Sequence, residues 1–172
     1  PACAMARHVS ASPNHQTGRV IPLKFRFDVA MTGRLGMEMK PSDLTEKELA
    51  YAKNAVATYK EIRPIIQQGN QYRILSPYDK TGYASKLYIT DDKSEAIFFS
   101  YKFEHYVNQF RPRFHFAGLD PNANYKLTEI CVEGRTDHWE GRTFTGKFLM
   151  QQGIEIALNG LFDSKVIRLK KQ

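Results

Sequence analysis

Two cysteines and one tryptophan are all that the 172 residues contain of either type. Each scarcity removes a class of protein. Cys3 and Cys131 stand far apart and outside any CxxC or Cys/His cluster, so no structural zinc site is expected and both are read as free, inert thiols. His8 and His15 make a weak metal pair, since no Cys, Asp or Glu stands at matching spacing. No cofactor is expected: a phosphate-cradling glycine loop, a zinc signature and a Ser/His/Asp order are all missing. Long apolar runs are missing too. The longest resemble AIFF at 96–99, whereas a spanning helix needs about 20 residues, so a soluble chain with no membrane partner is expected. The chain opens without a basic segment followed by an apolar stretch of about 7 to 15 residues, the mark of a secretory signal. A cytoplasmic location is therefore expected over a secreted one, and Pro1 in place of Met suggests processing or truncation.

Concentrated charge is the next absence. The net charge is +7, but Lys24 and Arg26, Arg111 and Arg113, and RLKK at 168–171 are scattered among acids, as on a solvated surface. Nucleic acid is not an expected partner on net charge alone. Hydrophobic residues at 42% and charged ones at 25% exclude wholesale disorder. The length allows one good core, or one small domain with a piece of another.

What is present begins with a helix signal in DLTEKELAYAKNAVATYKEIRP. Thr45 and Glu48 form a capping box, flanked by the staple Leu44 and Leu49. Leu49, Ala52, Val56, Tyr59 and Ile62 recur on one face, which something must cover. Pro64 is expected to end or kink the helix, and Gly69 closes any continuation. Upstream, LKFRFDVAM alternates at Leu23, Phe25, Phe27, Val29 and Met31, a strand by period, although Pro22 would suit the start of a short helix. A second short strand is expected around Leu35 to Met39.

From Gln71 the period changes. YRILS, KLYIT, EAIFFSYKF, RFHFAG, YKLTEICVE, RTFTGKFL, IEIAL and KVIRL are separated by turn signals such as SPYD, TDDKSE and LDPNAN. Some eight short strands imply an antiparallel two-layer sheet, with Lys126, Thr128 and Glu129 expected outside and Leu127 and Ile130 inside.

HVSASPNHQTGRVIPL, then GRLGMEM, then YKEIRPIIQQGNQYRILSPYD and finally GLDPNANYKL, in that order from Ala4 through Leu169, resemble the C-terminal portion of the retaining α-galactosidases of glycoside hydrolase family 36. In that family a (β/α)8 barrel carries catalysis and an antiparallel β domain follows it. The resemblance implies an α+β chain: residues 1–72 as the C-terminal end of the barrel with its last helix, and 73–172 as an antiparallel β-sandwich domain. It also implies a helix over 20–31, against the period; both readings stand at this point. The parent enzyme would take an α-galactoside such as melibiose or raffinose as substrate, and its β domain would cover the helix face and support the contacts of a homo-oligomer.

If His8 to Ser10 ends a barrel strand, Ala11 to Arg19 belongs to a βα loop on the catalytic face. His8, Ser10, Asn14, His15 and Arg19 are the candidate substrate-binding residues, with Gln16 as a further donor and Pro13 and Gly18 shaping the turns. The competing reading is that these groups only satisfy the loop's own backbone. Retaining hydrolysis needs two carboxyl groups about 5 Å apart. By resemblance both are aspartates on earlier barrel strands, the nucleophile in a segment that begins with a tryptophan and aspartate, and nothing here matches either motif. The one tryptophan here is Trp139 in TDHWEG, so neither catalytic aspartate is expected in this chain. Glu38 could face the pocket but is a single carboxylate, and Asp91 and Asp92 are read as turn formers. Trp139 is expected to pack on the sheet rather than to stack a sugar. Residues 1–40 in isolation are expected to be poorly ordered or to lie against the β domain, because a two-strand barrel remnant leaves edges unpaired.

Overall fold

The computed structural model describes residues 2–106, 109, 111–134 and 136–172. It begins with a βαβ unit: β1 (Ala6–Ser10), α1 (Leu23–Ala30) and β2 (Arg34–Glu38), with β1 and β2 parallel. The long helix α2 (Glu46–Gln68) leads into β3 (Asn70–Leu75), β4 (Tyr83–Ile89) and β5 (Glu95–Lys102). There follow β6 (Arg113–Phe114), β7 (Asn124–Ile130), β8 (Thr143–Thr145), α3 (Gly146–Gln151), β9 (Ile154–Glu155) and β10 (Asp163–Lys171). Six of the strands make one antiparallel sheet in the order β3-β4-β5-β10-β7-β8, while β6 and β9 pair separately. No helix among the described residues is long and apolar enough to cross a membrane.

The period reading of 23–31 is overturned: the segment is helical. Leu23, Lys24, Phe25, Phe27, Asp28 and Ala30 are all buried, so α1 has no broad polar face. A helix covered on nearly every side carries little helical period in its sequence. The helix and the turn after it are tied to the sheet: Tyr101 donates to the Asp28 carbonyl at 2.8 Å, Tyr88 to the Thr32 carbonyl at 2.8 Å, and Ser164 to the Asp28 carboxylate at 2.7 Å.

The capping box of α2 forms as expected, with Glu48 N–H donating to Thr45 Oγ1 at 3.3 Å and Thr45 N–H to Glu48 Oε2 at 2.9 Å. Ala52, Ala55, Tyr59, Ile62, Ile65 and Ile66 supply the buried face. Pro64 does not end the helix, which runs on to Gln68. Proline removes the hydrogen bond to the carbonyl four residues back; Lys60 and Pro64 both lie on the exposed side, where water can take that carbonyl. Gly69 then stops the helix by close approach rather than by a left-handed turn: its φ is −73°, and a Cβ there would lie 2.5 Å from the Ile65 carbonyl oxygen and 2.6 Å from that of Ile89.

The large sheet has a core on each face. On one side α1 and α2 pack over Tyr88, Ile97, Phe99, Tyr101 and Val166. On the other, Leu87, Phe98, Tyr125, Leu127 and Ile167 pack with Phe114, Leu149, Ile154 and Trp139. Two expectations are corrected here. RTFTGKFL gives three residues of strand and then α3, because Thr145 accepts from Phe148 N–H at 3.1 Å and caps a helix. Glu129, expected outside, is 5% exposed. Its carboxylate accepts from Lys165 Nζ at 3.0 Å, and Lys165 also lies 3.4 Å from Asp137 Oδ2. A buried acid is sustained by a cation that the sheet brings from 36 residues away.

Trp139 is fully buried, its indole N–H donating to Asp137 Oδ2 at 3.1 Å, which removes it as a sugar-stacking surface. Asp92 is a turn former as expected, accepting from Ser94 N–H at 3.0 Å and from Thr90 Oγ1 at 2.6 Å. These donors hold its carboxyl at about 2.

Candidate functional site

Side chains alternate along β1 and β2, and their parallel register decides what meets what. Val9 and Leu35 belong to the core under the helices. The opposite face carries His8 and Ser10 against Gly36 and Glu38. His8 Nδ1 lies 2.6 Å from Glu38 Oε1, an exposed pair and hence a weak one energetically. Gly36 sits beneath the imidazole: a Cβ there would fall 2.4 Å from His8 Cδ2. Gly36→Ala should therefore swing the imidazole away from Glu38 with little effect on stability, read as loss of the contact in imidazole 15N spectra.

The loop from Ala11 to Pro22 leaves the C-terminal end of β1. Asn14 organises it: Oδ1 accepts from Gln16 N–H at 3.1 Å, Thr17 N–H at 3.0 Å and Thr17 Oγ1 at 3.1 Å. Its backbone N–H donates to the Arg19 carbonyl at 2.9 Å, and Gly18 N–H returns to the Asn14 carbonyl at 2.8 Å. This is an Asx-type turn. Gly18 holds φ +66°, a left-handed conformation that glycine adopts without a steric penalty. The Asn14 oxygen thus serves the loop, as the competing reading of the sequence had it; its amide nitrogen makes no hydrogen bond among the described residues.

Arg26 closes the loop from behind. Its Nη1 donates to the Ser10 carbonyl at 2.5 Å and its Nε to the Ile21 carbonyl at 3.1 Å, so one guanidinium holds the chain where the loop leaves β1 and where it returns toward α1. Ser12 Oγ adds a bond from Ile21 N–H at 3.1 Å. Sequence reasoning missed Arg26, because a strand reading of 23–31 gives its side chain no particular direction. A helix starting after Pro22 places it one turn in, facing the strand end.

The result is an open depression of about 240 Å³ lined by Ser10, Asn14, Gln16, Arg19, Ile21 and Arg26 among others. Of the five candidates, Ser10, Asn14 and Arg19 are brought together here. His8 lies outside it on the adjoining strand face, paired with Glu38, and His15 is exposed on the loop without lining it. The Arg19 guanidinium is exposed and makes no hydrogen bond or ion pair among the described residues. Glu38 is the single carboxylate on β1 and β2. The arrangement offers hydrogen-bond donors to a polar ligand and no pair of acids to cleave one. Among the described residues, no three His, Cys, Asp or Glu side chains cluster as metal ligands.

Comparison with known proteins matches the whole chain. A model described as "Glycosyl hydrolase family 36 C-terminal domain" covers residues 83–169, and one described as "Melibiase" covers residues 1–69. "Probable alpha-galactosidase C" of Aspergillus flavus is 36% identical over 173 residues, which are 100% of this chain and 21% of that protein. "Alpha-galactosidase AgaA" of Geobacillus stearothermophilus is 40% identical over 134 residues, 78% of this chain and 18% of that protein. The crystal structure of AgaA superposes with a TM-score of 0.86 at 36% identity, covering 100% of this chain and 22% of that one. A substituted form of AgaA in complex with raffinose gives 0.88 at 34% identity, with the same coverage of 100% and 22%. The chain thus spans about a fifth of the length of the relatives it matches.

Proposed function

The chain belongs to glycoside hydrolase family 36, and from that premise we propose that it is the C-terminal part of a retaining α-galactosidase that releases terminal α-linked galactose from oligosaccharides such as melibiose and raffinose. The observation that carries the reading is the open β1-α1-β2 unit: two parallel strands that, among the described residues, pair with no strand but each other, joined to an antiparallel sheet of six strands. Parallel strands of this kind occur buried within larger sheets and barrels, so the pair calls for neighbours. The chain through α2 supplies the last segment of the barrel, and the chain from β3 onward the β domain, which supports the helices and the subunit contacts of the parent; the strand β3 begins at Asn70, so the junction falls just before the boundary at 72.

In the assembled enzyme the depression at the end of β1 is one rim of the sugar pocket. Arg19, the Asn14 amide and the Ser10 hydroxyl donate to sugar hydroxyls, and His8 and His15 stand at the margin. His8 with Glu38 presents polar atoms on the strand face that looks into the barrel. The two acids that attack the anomeric carbon and protonate the leaving oxygen come from earlier strands. The rival reading, a stand-alone carbohydrate-binding module, loses its main residue with the burial of Trp139.

The purified chain should not turn over a chromogenic α-galactoside, and calorimetric titration with galactose, melibiose and raffinose should give no saturable heat. Turnover by this chain alone would sink the proposal, and saturable sugar binding would favour the module.

A further inference from the structure

Away from the loop, β1 and α1 meet β3 and β4 across a cavity of about 220 Å³. Phe25, Val29 and Phe103 form part of its apolar wall, and its charged groups are all positive: Arg7 from β1, Arg73 from β3 and Lys86 from β4. No carboxylate lines it. Among the described residues none of the three cations takes part in an ion pair, and Arg7 Nε is buried without a hydrogen-bond partner. Arg73 and Lys86 are direct partners in the β3–β4 register, so their side chains share a face. Like charges placed opposite each other across a strand pair repel. Burial, then Arg7 and Arg73, push the Lys86 ammonium below its usual range.

The buried lysines are each compensated: Lys24 has Asp28 beside it, Lys165 has Glu129, and Lys102 lies over the Tyr83 ring. The Arg7, Arg73 and Lys86 group is therefore a concentration of positive charge against an apolar wall with its counter-charge missing. We propose that this cavity is a binding site for an anionic group, a carboxylate or a tetrahedral oxyanion, held by the guanidinium of Arg7, that of Arg73 and the ammonium of Lys86. The free Arg7 Nε supplies the inner donor, and guanidinium groups match the paired oxygens of both ligand types.

The test uses the 172-residue chain at low ionic strength, melted in inorganic phosphate and in sodium chloride of matched ionic strength. Phosphate should raise Tm saturably where chloride does not, as for any ligand that binds the folded state, and calorimetric titration should return the same Kd. Arg73→Gln, at an exposed side chain, and Lys86→Gln, at a half-buried one, should each weaken that Kd about tenfold, the scale of one charge-assisted hydrogen bond. In phosphate-free buffer both should melt no lower than the parent chain, because a repulsion is relieved. Lys60→Gln on α2 controls for net charge and should change neither reading. Equal responses to phosphate and chloride, or a Kd untouched by both substitutions, would overturn the site. Its natural occupant is a separate question and rests on the proposed function. In the longer enzyme a surviving phosphate response identifies a free anion. A lost response, with Arg73→Gln and Lys86→Gln now lowering Tm, identifies a carboxylate of the polypeptide that precedes this chain.

Discussion

Asp28→Ala is expected to cost about 3 to 5 kcal/mol of folding stability, the scale for removing one member of a buried ion pair. Asp28 is fully buried and Lys24, 2.5 Å away, is 7% exposed. Alanine would leave that ammonium without its acid and Ser164 without its acceptor, at the joint where α1 is tied to the large sheet. Asp28→Asn should cost much less. Burial outweighs Lys24 and Ser164 at this carboxyl and raises its pKa, so the fold already favours a neutral group there more than the unfolded chain does. The sign of the pH effect follows. A carboxyl whose folded pKa is raised contributes stability that is fully present below its unfolded pKa and fades as pH rises through the folded one. Relative to Asp28→Asn, which cannot titrate, the parent chain should therefore gain stability as pH falls from neutral toward the carboxylate range. Urea midpoints of the three proteins at two pH values measure both effects; a parent chain that loses ground to Asp28→Asn on acidification would refute the argument.

That joint also marks the boundary between what is written locally and what is not. The cap at Thr45 and the turn at Asp92 involve partners three and two residues away, and both were readable because no distant group alters them. α1 was not, since its apolar residues face α2 on one side and β10 on the other, leaving no polar stripe to reveal a period of 3.6. Glu129 inverted its expected side because its stabilising cation, Lys165, arrives through strand pairing. Pro64 failed to end α2 because the carbonyl it orphans points outward, a fact of helix rotation and not of sequence. In the candidate site, the position of the loop was legible from its turn residues and from the family resemblance. The division of labour within it was not, because the Asn14 oxygen is committed to backbone donors and the gripping residue lies on an element whose type was undecided.

Arg26 is where that division has the largest functional consequence. In the assembled enzyme of the proposed function, Arg26→Ala should lower kcat/KM toward α-galactosides by about a hundredfold, the scale on which displacement of a positioning group by about 1 Å acts. Arg26 lines the depression, but its guanidinium is committed to the loop's backbone and not to a ligand. It holds the Ser10 and Ile21 carbonyls together, so its removal releases both ends of the loop that carries Asn14 and Arg19. Arg26→Lys should not rescue the loss, since one ammonium on a flexible stem cannot span two carbonyls as a planar fork does. The β domain should be unaffected, because the bonds lost, to Ser10, Ile21 and the Met39 sulfur, all lie within residues 10–39. The discriminating measurement pairs kinetics with hydrogen exchange: Arg26→Ala should speed exchange at the Gly18 and Ile21 amides while leaving β4, β5 and β10 protected. A kcat/KM preserved within threefold, with those two amides as slow as before, would mean that the loop keeps its shape without the clamp, and that the rim of the pocket is set by contacts from the rest of the barrel.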